Sequence, residues 1–199
     1  MRVVNTVSRF AAVFSLGLLA STVITAQENL DKTEISATLL AAKEKVVNSL
    51  PKPEDKFLMT TDMAVLAFNA GDNIAAGMYA KDLLNQAKSM KDDWNYGNAL
   101  HKAHLVLGRI ALAAGDMDEA KSQLLLAGQT PGSPQLDTFG PDMLFARELL
   151  EKGEKKAVIQ YFTLCSNFWK MNDGKLDEWT EDVKNDRAPD FGPNVRYVF

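Results

Sequence analysis

The chain has 199 residues, 46% of them hydrophobic, and a formal charge of −4. That composition suits one globular domain and excludes wholesale disorder. Arg2 and Arg9 are the only charged residues before Gln27, so removing their two positive charges leaves −6 on the remainder. With no Lys/Arg run, neither nucleic acid nor an anionic lipid surface is an expected partner, because both need clustered cations.

The N-terminus has the three parts of a secretory signal: Arg2 and Arg9, an apolar or small stretch from Phe10 to Val23, and Ile24-Thr25-Ala26 before Gln27. An uncleaved anchor is the alternative. It would have only residues 10 to 26, broken by Ser15, Gly17, Ser21 and Thr22, which is short for a span. This divides the chain into a signal peptide (1–26), an α-helical domain (27–188) and a C-terminal tail (189–199). The expected location is periplasmic or secreted, with no stable membrane insertion after cleavage. Cys165 is the single cysteine, so no internal disulfide can form, and its apolar neighbours predict a packed, inert thiol.

From Ile35 to Leu50 apolar residues recur at helical spacing, with Asp31 or Thr33 as a cap and Pro51 and Pro53 as the stop. A second helix runs from about Glu54 to Ala70, ended by Gly71, and Asp72 caps a third that reaches about Met90. The next pair spans Asn98 to Ala127 and turns at Gly115-Asp116. Its Gly and Pro residues mark 128–141 as irregular, with Pro141 opening the following helix. That helix ends at Lys152-Gly153, Val158 to Met171 forms another, and Leu176 to Val183 adds a short one.

Gly71-Asp72, Gly115-Asp116 and Gly153-Glu154 each separate two amphipathic helices, at spacings of 44 and 38 residues. Recurring helix-turn-helix units predict an all-α, antiparallel repeat array of about three units, against the plainer alternative of a helical bundle. The central unit is similar to a tetratricopeptide repeat: Leu107-Gly108, Ala111, Ala120, Leu124, Ala127 and Pro131 fall near that family's small-residue and closing positions, while His104 departs from its usual Trp. Both spacings exceed the family period of about 34. The stretch from Tyr96 through TPGSPQL, FGPDM and ELLEKGEKK also resembles an uncharacterised group of bacterial repeat-like proteins.

The resemblance implies a concave groove lined by the first helix of each unit, holding a peptide or protein partner. Its contact positions fall on Thr61, Val65 and Asn69, then Asn98, Lys102, Leu105 and Arg109, then Met143, Arg147 and Glu151. Lys102, Arg109 and Arg147 would form a basic stripe suited to acidic groups or a peptide C-terminal carboxylate. The alternative is that these cations pair with Glu148, Glu151 or the cap acids. No nucleophile elbow, phosphate-cradling loop or HExxH motif appears, so neither an enzyme nor a cofactor is expected. His101 and His104 offer a runner-up, a small-molecule or metal-binding envelope protein, although no third ligand is fixed by spacing. The tail, ending Tyr197-Val198-Phe199, is expected to dock Phe191, Tyr197 and Phe199 near Trp169 and Trp179. An exposed end read by a PDZ groove is the other option.

Overall fold

The computed structural model describes residues 31–195; the segment read as a signal and the tail residues Tyr197 and Phe199 lie outside the described residues. Among the described residues the chain is all-helical and has no strand. No helix among them is long and apolar enough to cross a membrane. Residues 31–49 are helical (α1), so Asp31 and Thr33 are helical residues and not caps preceding the helix. Then come α2 (Pro53–Asn69), α3 (Asn73–Ala87), α4 (Tyr96–Ala113), α5 (Met117–Gly128), α6 (Pro134–Phe139), α7 (Leu144–Glu151), α8 (Lys155–Cys165) and α9 (Lys175–Lys184). A 3-10 turn at Gly192–Val195 follows.

The three expected turns close in the same way. Asp72 N–H donates to the Ala67 carbonyl (3.0 Å), Asp116 N–H to Ala111 (2.9 Å) and Glu154 N–H to Leu149 (3.0 Å). Each is the six-to-one bond that satisfies a helix C-terminus around a left-handed glycine, here Gly71, Gly115 and Gly153 with φ near +80°. Asp72 and Asp116 then cap the next helix by accepting from Ala75 N–H (2.9 Å) and Glu119 N–H (3.1 Å). Glu154 makes no such cap.

Packing follows the same order. α2 lies on α3 and α4, α4 on α5 and α7, α5 on α8, and α7 on α8. Two apolar clusters result. One, between α2, α3 and α4, is mostly alanine (Ala64, Ala67, Ala76, Ala80, Ala99 and Ala103) with Phe57 and Leu83. The other is aromatic, with Phe145, Tyr161, Phe162, Trp169 and Trp179. Phe191 closes this second cluster, its ring 5.0 Å from Trp179 and edge-on to it, as expected for the tail's first aromatic. Cys165 is fully buried there, and burial raises its thiol far above the reactive range. α1 rests on the alanine side: Lys43 pairs with Asp62 at 3.0 Å, and Tyr79 donates to the Glu44 carboxylate.

Three expectations are corrected. The stretch 128–141 is not wholly irregular: α6 forms within it, because Ser133 accepts from Leu136 N–H (3.0 Å) and Pro134 sits in the first turn. Pro141 does not open the next helix. Its carbonyl and that of Phe139 both accept from the Asn194 side chain, and Asp142 instead makes a turn by accepting from Leu144 N–H (2.7 Å). The helix expected to reach Met171 ends at Cys165.

Two of the close approaches that need glycine shape the region around α4. A β-carbon on Gly108 would lie 2.3 Å from the Phe145 ring, and one on Gly97 would lie 1.7 Å from the Gly132 carbonyl oxygen. The first lets α7 press against α4. The second seats the loop carrying α6 on the start of α4, where Thr130 also donates to the Gly97 carbonyl (2.9 Å).

Candidate binding groove

Where α2, α4 and the start of α7 meet α6, a groove of about 400 Å³ opens. Its walls are apolar: Val65 and Phe68 from α2, Leu105 and Val106 from α4, Leu136 from α6, and Leu144 and Phe145 from α7. Three large side chains on its edge stay exposed, Leu58 by 42%, Trp94 by 49% and Phe139 by 57%. Scattered exposed apolar residues are ordinary; these three are gathered around one cavity.

The polar lining is mostly engaged with itself. Lys102 Nζ lies 2.6 Å from Asp62, which also takes Lys43. Burial opposes Asp62 ionisation, but the two lysines outweigh it and hold the carboxyl below its usual range. Arg109 donates from Nε (2.9 Å) and Nη2 (2.7 Å) to the two oxygens of Glu148, and its guanidinium lies 4.4 Å from the centre of the Phe68 ring. The fork that a ligand carboxylate would use is therefore filled by Glu148. Asn98 bridges to the α6 segment, donating to Gln135 (2.9 Å) and accepting from Ser133 (2.6 Å). Asn95 is buried and donates to Thr61 (2.7 Å), tying the connector before α4 to α2.

His101 lies at the base. Its Nδ1 donates to the Ala127 carbonyl (3.1 Å) and its Nε2 accepts from Asp142 N–H (3.3 Å). Burial pulls it down to about 4, so it is neutral at ordinary pH. Asp142 behaves in the opposite sense: burial pushes its carboxyl up to about 6, against the Leu144 N–H and the charges of Arg109 and Lys102. His104 turns away, its Nδ1 2.7 Å from the Gln123 side-chain oxygen. The two imidazoles thus serve different partners, and among the described residues no three His, Cys, Asp or Glu side chains converge as a metal site.

Of the ten contact positions read from sequence, Thr61, Val65, Asn98, Lys102, Leu105 and Arg109 line the groove. Asn69, Met143, Arg147 and Glu151 are not among its lining residues. Asn69 ends α2 with its side-chain nitrogen buried and unpartnered. Arg147 is exposed on α7. Because that helix starts only at Leu144, just Leu144 and Phe145 from it reach the cavity. Met143, assigned by the same mapping, is fully buried. Sequence reasoning missed Leu58, Trp94, Phe139 and Asp142. Trp94 and Phe139 stand out in sequence as large aromatics in or beside polar connectors; Asp142 carries no comparable signal. Compared with known protein families, curated proteins and solved structures, the chain matches none.

Proposed function

We propose that this protein is a non-enzymatic interaction module that holds an extended peptide segment of a partner protein in the groove between α2, α4 and α7. The observation that carries this reading is the coincidence of the 400 Å³ cavity with the exposed Leu58, Trp94 and Phe139 on its edge. Apolar anchors entering such a cavity supply most of the binding energy, while the self-paired polar lining sets orientation. The architecture in this reading is a tetratricopeptide-like repeat array. Its support is the recurrence of one turn geometry at Asp72, Asp116 and Glu154, and of first-helix contacts from α2 to α4 to α7. A periplasmic or secreted location belongs to this reading, and its support is the signal-like composition of residues 1–26.

Peptide display selection against the full chain tests the proposal, with a Trp94→Ala/Phe139→Ala variant as comparison. Both side chains are exposed, so the variant keeps its melting temperature. Peptides enriched on the unmodified chain and lost on the variant are the expected result. Failure to enrich any peptide, or equal enrichment on both, would overturn it.

A further inference from the structure

The groove's charges narrow the occupant. We propose that the peptide it takes presents a lysine or arginine side chain between apolar residues, with Asp142 as the counter-ion and the aromatic walls around its stem. This rests on the peptide-groove reading above.

The cations of the groove are spoken for. Asp62 carries Lys43 and Lys102, and Glu148 grips Arg109 at two points. A guest carboxylate would have to displace one of these acids, giving up a pair that is already formed. Asp142 is different. One of its oxygens accepts from Leu144 N–H, and it forms no ion pair with any described residue. Asp142 is among the residues that line the cavity, and the charges acting on its carboxyl, Arg109, Lys102 and Glu148, are each paired elsewhere. A partly buried carboxylate with no counter-ion is costly, and a cation placed beside it removes that cost.

The walls suit such a guest. The stem of Lys or Arg covers apolar surface while its head seeks a charge, and a cation is attracted to an aromatic face within about 6 Å. Arg109 already lies over Phe68 in this way, 4.4 Å from the ring centre. Trp94 and Phe139, both exposed, add further aromatic surface along the same cavity.

The test is an array of immobilised nonapeptides with apolar flanks and a central Lys, Arg, acetyl-lysine, Met or Glu, probed with the labelled full chain and with Asp142→Asn. Asparagine keeps the shape and a carbonyl oxygen for Leu144 N–H while removing the charge. Central Lys and Arg are expected to bind about tenfold more tightly than Met or Glu. Asp142→Asn should erase that preference, bringing the central Lys and Arg peptides to the level of the Met peptide. Acetyl-lysine, which removes the charge without touching the protein, should fall to the Met level even if the variant folds poorly. Preference for Glu, indifference to the central residue, or a basic preference that survives acetylation or Asp142→Asn overturns this inference and leaves the groove reading standing. No binding to any peptide overturns both.

Discussion

His101 and Asp142 are joined by one hydrogen bond, yet they respond to acid in opposite directions, and that opposition can be measured. His101 sits at about 4 in the folded chain against an ordinary 6.5. The unfolded chain therefore binds the extra proton, and stability is lost as pH falls from 6.5 towards 4. Asp142 sits at about 6 against 3.8. Here the folded chain binds the proton first, and stability is gained as pH falls through 6. Between pH 7 and pH 4.5 each contribution amounts to about 2 kcal/mol, with opposite signs. In the unmodified protein they nearly cancel. Asp142→Asn removes only the gain, so its stability relative to the unmodified chain should drop by about 2 kcal/mol over that range. His101→Gln keeps a donor for Ala127 and an acceptor for Asp142 N–H, and its relative stability should rise by a similar amount. Urea unfolding at half-unit pH steps, compared as differences between variants, cancels every other titrating group. Two difference curves that stay flat, or slope the same way, would refute the assignment of these shifts.

Other outcomes follow from packing. Gly108→Ala forces a β-carbon against the Phe145 ring and should cost roughly 1–3 kcal/mol, with part of the loss recovered by Phe145→Leu; thermal melts of the two single variants and the double decide it. Phe191→Ala should cost about 3–5 kcal/mol in denaturant unfolding, because the ring is buried on Trp179; no change would remove the tail from the core. Arg109→Ala strands Glu148 and should cost roughly 1–3 kcal/mol, whereas Arg147→Glu on the exposed face of α7 should leave both melting temperature and peptide affinity unchanged.

Much of this architecture is local, and so was readable. A left-handed glycine followed by an acidic cap identifies Gly71-Asp72 and Gly115-Asp116 without any tertiary knowledge. α6 was readable too, since Ser133 followed by Pro134 is a helix start, but the surrounding Gly and Pro residues suggested a loop. The groove was legible where it depends on helix periodicity: Asn98, Lys102, Leu105 and Arg109 share one face of α4. What periodicity cannot give is partnership. Asp62 lies 40 residues before Lys102, and Glu148 lies 39 after Arg109. Whether a cation is open or neutralised depends on that juxtaposition. Asp142 is the extreme case, for its environment exists only once α7 has been set against His101, 41 residues earlier in the chain.

The unequal make-up of the two apolar clusters bears on how the chain breathes. Alanine buries far less surface than the Phe, Tyr and Trp of the other cluster, so α2 and α3 are held by weaker packing per turn. Local opening therefore begins at that end, and its amides exchange with solvent first. The groove spans the boundary, drawing Val65 and Phe68 from the loosely held side and Phe145 from the tightly held one. A bound segment would clamp the two sides together, so occupancy should register as slowed exchange in α3, which contributes no residue to the groove.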